Sequence, residues 1–212
     1  ATTARRERAR IVVVGGGVIG ASAAYHRAHL GETDVLLLEQ GTLSCGTTWH
    51  AAGLVGLLRA SESGTRLVQH SADLYQRLEA ETGLSTGYRQ CGGLIVARTP
   101  ERMTALRRTA ATAAAYDLDC ELLTPAQAGE RYPLLHTDDL QGAIWLPGDG
   151  TANPTDVTQS LAKGARQLGV TVRERVRVTG FDVVADPTAP GGRRVRGVRT
   201  DAGDVACEVV IN

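Results

Sequence analysis

The chain has 212 residues, of which 42% are hydrophobic, and its 23 basic and 23 acidic side chains cancel to a net charge of zero. This length and composition are typical of a globular protein with a sizeable core, arranged as one large domain or as parts of two. The charge balance excludes a surface committed to phosphate backbones or anionic lipid. We therefore expect neither nucleic acid nor a membrane as a partner.

Targeting and metal signals are missing from the sequence pattern. No apolar run approaches the roughly 20 residues that span a bilayer, and the basic start ATTARRERAR leads into a short strand-like run rather than a signal peptide. The cysteines show no C-x-x-C pair and no histidine at metal-ligand spacing; they are Cys45, Cys91, Cys120 and Cys207. We expect no metal site, and mostly buried, reduced thiols in a cytoplasmic protein.

The first elements predict a β-α-β unit. IVVV is a short β-branched strand, the glycines after it form a turn, and a helix follows that ends near Gly31. The apolar run in DVLLLEQG is a second strand. Fully apolar strands joined by a helix within about 30 residues indicate a parallel sheet that is covered on both faces.

The rest of the chain is mixed and then returns to strands. Helices are predicted over 62–81 and 100–116, over a short segment with Thr124 as N-cap and Pro125 at its first position, and over a capped segment from NPTD to Gly169. Strands are predicted at GGLIVA, GAIWL, 170–178, 193–200 and 204–211, with a loop at DPTAPGG. Because the chain stops at EVVIN, at or inside a strand, we expect a fragment truncated after residue 212.

The glycine turn carries the spacing G-x-G-x-x-G at Gly15, Gly17 and Gly20. The first glycine allows a tight turn, the second lets a pyrophosphate approach the backbone, and the third lets helix and strand pack closely. Glu39 ends the second strand 24 positions after Gly15. A carboxylate there binds a ribose hydroxyl and repels the 2′-phosphate of NADP. The pattern predicts dinucleotide binding, and a turn that serves packing alone is the alternative.

The segment from Gly41 to Gly56 distinguishes NAD from FAD. It is rich in Gly, Ser, Thr and Ala instead of continuing quickly into a helix and strand. Small residues let backbone lie against a flat ring, which favours a flavin. Within this segment His50 could be a packing residue, a general base, a metal ligand or a group bonded to the cofactor, and Trp49 could line the ring or fill the core.

At this point the sequence resembles a known family. The segments IVVVGGGVIGASAAYH, LLLEQ, LSCGTTWHAAGL, ETGLSTGYRQCGGLIVA, YPLLHTDDLQGAIWLPGDGTANP and EVVIN are similar to the sarcosine and dimethylglycine dehydrogenase group of the D-amino-acid-oxidase-like flavoproteins. The resemblance implies an α/β fold, in which a glutathione-reductase-like FAD/NAD(P)-binding Rossmann domain carries an inserted β-rich substrate domain. It assigns 1–85 and 149–212 to the FAD domain and 86–148 to the start of the substrate domain.

The resemblance also implies site residues. His50 occupies the position of the histidine that carries FAD covalently on its 8α-methyl group in this family, and a neutral imidazole is a competent nucleophile near pH 7. The other expected flavin contacts transfer by position, namely Gly15, Gly17, Val18, Ile19, Gly20, Glu39, Gln40, Gly46, Thr47, Thr48, Trp49, Gly53, Leu54 and Val178. Cys45 replaces a small residue of the family and is expected to be a buried thiol. Asp149 in PGDG is interpreted as a turn residue.

The implied activity is oxidative demethylation of an N-methylglycine by an FAD-dependent oxidoreductase acting on a CH–NH donor. The electron acceptor is an electron-transfer flavoprotein or oxygen. Residues that bind the substrate carboxylate, residues that deprotonate the amine, and any tetrahydrofolate-binding region are expected beyond residue 212. A related flavin amine or amino-acid oxidase and a non-catalytic regulatory homologue of the same fold are the alternatives.

Overall fold

The computed structural model describes residues 7–212. These residues form five α-helices, α1 to α5, at Val18–His29, Glu62–Thr82, Pro100–Ala115, Pro125–Arg131 and Pro154–Gln167. They also form thirteen strands, β1 to β13, at Glu7–Arg8, Ile11–Val14, Val35–Leu38, Leu54–Val55, Gly93–Ala97, Glu121–Leu123, Gly142–Leu146, Gly150–Thr151, Thr171–Arg173, Val178–Ala185, Arg193–Thr200, Gly203–Ala206 and Val209–Ile211. The first six residues of the basic start, on which the targeting interpretation partly rests, lie outside the described residues.

The chain divides into two compact units. The first takes the described residues up to Ala52 together with Arg77–Thr86 and Asn153–Asn212, and the second takes Gly53–Gln76 and Gly87–Ala152. The predicted domain assignment stays a prediction. Its boundaries differ from these units chiefly at residues 53–76.

A parallel sheet forms the centre of the first unit. Its strands lie in the order β13-β2-β3-β9, and every neighbouring pair is parallel. β3 is buried along its whole length and β2 along all but its last residue, as their continuous apolar runs predict. The β-α-β unit is therefore confirmed, and the unit has the mixed α/β, Rossmann-like fold that was expected.

Helices α1 and α5 pack against each other in this unit through small residues. The buried face of α1 is formed by Ala21, Ala24, Tyr25 and Ala28, and a Cβ atom on Gly164 of α5 would stand 2.9 Å from the Tyr25 ring. The Asn153 side chain caps α5 by accepting hydrogen bonds from the Thr155 and Asp156 amides, at 3.0 and 3.3 Å. The predicted capped helix is confirmed, and it ends at Gln167.

A second sheet of the first unit, in the order β1-β12-β11-β10, departs from the strand prediction. The strand expected over 170–178 ends at Arg173, because Arg175 has φ 59° and cannot continue an extended chain. The strand expected over 204–211 is two strands, β12 and β13, which lie in different sheets. Residues 179–185, which carried no prediction, belong to β10 and pair with β11.

The second unit contains an antiparallel sheet in the order β5-β7-β6 and a separate β4-β8 pair. Met103 and Leu106 of α3 pack with Ile144 and Leu146 of β7. On α4, the Thr124 hydroxyl accepts from the Gln127 amide while the Gln127 side chain accepts from the Thr124 amide. This capping box confirms the predicted start of the short helix.

Candidate functional site

The glycine turn joins β2 to α1 in the first unit. Gly15 has φ +103°, which side chains rarely adopt, and its amide donates to the Leu38 carbonyl of the neighbouring strand at 2.8 Å. A Cβ atom on Gly20 would lie 1.9 Å from the Gly15 carbonyl oxygen. The first turn of α1 contains no acidic residue. The N-terminus of α1 carries the positive end of the helix dipole. It is therefore suited to bind an anion next to the glycine turn.

Glu39 connects this turn to the end of β3. Its carboxylate is buried, and Oε2 accepts from the Gly16 amide at 2.6 Å while Oε1 accepts from the Gly41 amide at 2.8 Å. Each carboxylate oxygen has a further lone pair with which to accept from a hydroxyl group. The carboxylate that the sequence assigns to a ribose is therefore fixed in position by two backbone groups.

Thr48 lies outside α1 but contacts the N-terminus of that helix. Its Oγ1 accepts from the Val18 amide at 3.0 Å, and a Cβ atom on Gly17 would lie 2.9 Å from the same oxygen. The N-cap residue Gly17 has no side chain with which to satisfy the helix amides. The hydroxyl of Thr48 takes that role. Its hydrogen bond joins the segment Thr48–His50, the histidine segment, to the glycine turn.

His50 ends the short 3₁₀ turn at Thr48–His50. Its Nδ1 lies 3.2 Å from the Gly46 carbonyl oxygen, and its ring centroid lies 4.1 Å from that of the exposed Trp49. A carbonyl oxygen only accepts, so Nδ1 is the donor in this contact, and the neutral tautomer that makes it has its lone pair on Nε2. His50 is exposed.

The structure also places the remaining predicted residues. In the first unit, Ile19, Gln40, Gly46 and Thr47 are exposed around the turn, and Val178 packs half-buried against the core strands. Gly53 and Leu54 belong to the second unit, where Leu54 pairs with Thr151. The flavin contacts expected of all these residues stay predictions.

Four further residues take part in this arrangement without having been predicted. Gly16 and Gly41 donate to Glu39, and Glu174 accepts from the Leu43 amide at 2.6 Å. The Val176 amide donates to the Glu39 carbonyl at 2.9 Å. The run GGG marks Gly16 in the sequence, but no local pattern indicates Glu174 or Val176, which arrive from more than 130 residues away.

The cysteine prediction is wrong at two positions. All four cysteines are free, but Cys45 and Cys91 are exposed, Cys120 is half-buried and only Cys207 is buried. The Cys45 thiol lies 3.5 Å from Glu39 Oε1. The residue before it, Ser44, is buried and has φ 65°.

These features fit an FAD. The first turn of α1 has no acidic side chain and adjoins the close-packed glycine turn. The Glu39 carboxylate, fixed by two amides, lies at the end of β3. Two large apolar side chains beside them are left exposed, Ile19 at 84% and Trp49 at 59%, as expected where a cofactor covers them. Within residues 7–212 no group of three or more His, Cys, Asp or Glu residues is arranged to hold a metal ion. No helix of that part is long and apolar enough to cross a bilayer.

The chain is similar to curated proteins over nearly its whole length. Mitochondrial sarcosine dehydrogenase of Homo sapiens is 40% identical over 205 residues, covering 96% of this chain and 22% of that protein. The 4-methylaminobutanoate oxidase (formaldehyde-forming) of Paenarthrobacter nicotinovorans is 43% identical over 202 residues, covering 95% of this chain and 24% of that protein. The chain thus spans about a quarter of the length of these curated relatives.

Among solved structures, L-proline dehydrogenase from P. horikoshii superposes with a TM-score of 0.87 at 27% identity, over 97% of this chain and 52% of that one. The DAO family model, described as FAD dependent oxidoreductase, matches residues 10–212. That match covers nearly all of the sequence. The chain belongs to the DAO family of FAD-dependent oxidoreductases.

Proposed function

We propose that the chain is the FAD-binding part of an enzyme that oxidatively demethylates an N-methylglycine, sarcosine or dimethylglycine, with the flavin joined covalently to His50. The observation that carries the proposal is the His50 imidazole, held by Gly46 with Nε2 free, on a turn that is hydrogen-bonded to the start of α1. The names of the two relatives, a sarcosine dehydrogenase and a 4-methylaminobutanoate oxidase, support N-methylated amino acids as the substrate class.

The residues of the glycine turn would hold the phosphates. The amides at the start of α1, from Val18 to Gly20, and the helix dipole bind the pyrophosphate, and Glu39 accepts a ribose hydroxyl. The exposed residues Gln40, Gly46 and Thr47 would lie along the cofactor, and Trp49 would cover an apolar part of it. Val178 contributes an adenine contact in this proposal.

His50 would anchor the flavin. Its Nε2 is the atom that would form the bond to the flavin 8α carbon, and the flavin would supply the electrophilic carbon and the two-electron oxidising capacity that this bond requires. Nδ1 stays bonded to the Gly46 carbonyl throughout, so the histidine acts as a tether and does not shuttle protons to substrate. Covalent attachment prevents cofactor loss and tunes the flavin potential.

The bound flavin supplies an acceptor for a hydride equivalent from the N-methyl carbon of the substrate. The resulting iminium hydrolyses with one water to formaldehyde and the demethylated amine. The reduced enzyme then returns its two electrons to oxygen or to an electron-transfer flavoprotein.

Acid precipitation of the intact protein tests the tether. We expect a yellow pellet, and a tryptic peptide containing His50 whose mass is increased by a flavin. His50→Ala should be yellow in solution and colourless after precipitation. A peptide of unmodified mass from flavin-loaded protein would contradict the covalent proposal while leaving flavin binding intact.

Formaldehyde release tests the reaction. The intact protein should form formaldehyde from sarcosine or dimethylglycine, with oxygen consumed if oxygen is the acceptor and with a dye or electron-transfer flavoprotein reduced if it is not. Flavin-loaded protein that forms no formaldehyde with any of these acceptors would point instead to the non-catalytic homologue. Oxidation of a primary amino acid without formaldehyde would favour the other oxidases.

A further inference from the structure

The second unit contains a cavity of about 420 Å³. It is bordered by the segment from Gly56 to Ala60, by Thr109 and Thr112 of α3, and by the β7-β8 turn with Asp149. Leu58, Ile95 and Leu146 form its apolar wall. A volume of this size, with apolar walls and a few convergent polar groups, is typical of a small-molecule site.

Asp149 is fixed at one side of this cavity. Its Oδ1 accepts from the Leu57 amide at 2.8 Å, and its backbone carbonyl accepts from the Gly92 amide at 2.8 Å. The turn role expected of this residue stays a prediction, because its side chain accepts from Leu57, which lies outside the turn. The other carboxylate oxygen, Oδ2, lies 2.5 Å from the point where a Cβ atom on Gly93 would stand and 3.6 Å from the corresponding point on Gly56, and Asp149 lines the cavity.

Arg59 is fixed at the other side. The hydroxyl of the buried Thr65 accepts from the Arg59 amide at 3.1 Å and donates to the Arg59 carbonyl at 3.4 Å. The guanidinium donates through Nη1 to the Leu58 carbonyl at 3.0 Å. The same nitrogen lies 3.5 Å from the Cβ point of Gly56. The backbone of Arg59 is thus held on both sides while part of its guanidinium fork remains free to bind an anion.

The two opposite charges approach the same glycine but do not pair. Among the ion pairs of residues 7–212, none joins Arg59 to Asp149. Burial raises the pKa of the Asp149 carboxyl, and the Leu57 amide and the Arg59 guanidinium lower it by smaller amounts. A half-buried carboxylate beside an unpaired guanidinium is stabilised by a ligand that brings a cation to the first and an anion to the second.

We propose that this cavity binds the zwitterion of a small N-methylated amino acid, with the ligand carboxylate on Arg59 and its ammonium group on Asp149. The planar guanidinium suits a carboxylate because it can donate two parallel hydrogen bonds. The apolar wall formed by Leu58, Ile95 and Leu146 accommodates N-methyl groups. The choice of ligand rests on the function proposed above, whereas the charge arrangement does not.

Calorimetric titration of the intact protein with trimethylglycine tests the site. This probe carries both charges but has no amine lone pair, so flavin does not oxidise it. Acetate carries only the negative charge, and tetramethylammonium carries only the positive one. We expect trimethylglycine to bind about tenfold or more tightly than either single-charge probe.

Two variants separate the roles of the charges. Asp149→Asn keeps an oxygen to accept from the Leu57 amide, and it should remove the preference for trimethylglycine over acetate. Arg59→Met should weaken both carboxylate-containing probes by about tenfold or more. Arg98→Met and Asp139→Asn, which break an exposed ion pair elsewhere in the second unit, should leave all three affinities unchanged.

Unchanged affinities in folded Asp149→Asn and Arg59→Met protein would overturn the proposal. That outcome is distinguishable from failure of the proposed function, which is measured by flavin content and formaldehyde release. A protein that demethylates sarcosine but ignores both substitutions loses only the cavity proposal. A protein that binds trimethylglycine as expected but forms no formaldehyde loses only the enzymatic one.

Discussion

The Glu39 carboxylate accepts a hydrogen bond from the Gly16 amide at 2.6 Å, across the 23 positions that separate them in the chain. The contact joins the exit of β3 to the turn that follows β2. Together with the bond from the Gly41 amide, it fixes the carboxylate before any ribose arrives. These two hydrogen bonds form an internal brace between the glycine turn and the end of β3.

Glu39→Gln tests this brace. A glutamine keeps one acceptor oxygen but presents an NH₂ group to one of the two amides, which leaves a buried donor unpaired. We expect the free energy of unfolding of the intact protein to fall by about 1 to 3 kcal/mol in urea titration. Glu62→Gln, at an exposed i,i+4 ion pair on α2, is the control, with an expected change below about 0.5 kcal/mol. Equal effects of both changes would contradict the brace.

Thr48→Val tests the bond between the histidine segment and α1. Valine has nearly the same shape but accepts no hydrogen bond from the Val18 amide, so we expect a loss of about 1 kcal/mol in stability and a lower yield of acid-stable flavin. Thr48→Ser should restore both. Thr171→Val, at an exposed position of β9, is the matched control. If Thr171→Val lowers flavin yield as much, the hydroxyl of Thr48 has no special role.

Gly20→Ala tests the close approach of α1 to the glycine turn. The added Cβ atom would stand 1.9 Å from the Gly15 carbonyl, and backbone must move to admit it. We expect a destabilisation of at least about 2 kcal/mol, larger than the gain of about 1 kcal/mol in helix propensity. Gly46→Ala, with no atom within 4 Å of its Cβ point, should change the unfolding midpoint little. A Gly20→Ala protein as stable as the Gly46→Ala protein would show that the turn accommodates the added Cβ atom without strain.

Asp149→Asn has an effect on stability that depends on pH. Because burial raises the pKa of this carboxyl above its unfolded value, the native protein binds the proton more tightly than the unfolded chain. Stability is then lost as pH rises through the native pKa. Asparagine removes that loss, so the variant should gain melting temperature relative to the wild type at pH 7 and gain less at pH 4.

The opposite sign is expected at Asp186. Hydrogen bonds from the Thr188 hydroxyl and amide lower the pKa of this carboxyl, so its contribution is present at neutral pH and lost as pH falls. Asp186→Asn should therefore lower the melting temperature at pH 7 more than at pH 4. Thermal scans of both variants at the two pH values check the pair, and the same sign at both sites would contradict the assignment of burial to Asp149.

Local patterns predicted much of the fold because their causes are local. The apolar runs of β2 and β3, the glycines between them and the caps of α4 and α5 depend on neighbouring residues only. The path of residues 174–178 beside Glu39 could not be predicted, since it depends on Arg175 adopting φ 59° and on partners far away in the chain. The exposure of Cys45 has the same origin, because the direction of a loop is set by what it packs against.

The site residues also divide into those that a local motif predicts and those that only distant contacts bring together. Gly15, Gly20 and Glu39 are visible in a motif whose spacing is fixed by a turn and one helix. Arg59 and Asp149 are 90 positions apart in the sequence, and no periodicity connects them. They approach the same glycine only because the Asp149 side chain accepts from the Leu57 amide.

The strand order of the first unit also determines when its sheet can be completed during synthesis. β2 lies between β3 and β13, and Ile11 pairs with Val209. At translation rates of about 5 to 20 residues per second, β13 follows β2 from the ribosome on the order of 10 to 40 s later. During that interval one edge of β2 has no partner strand, so the nascent chain offers a bare sheet edge to chaperones or to other chains. A flavin that needs the complete sheet can bind only after nearly all of this chain has emerged.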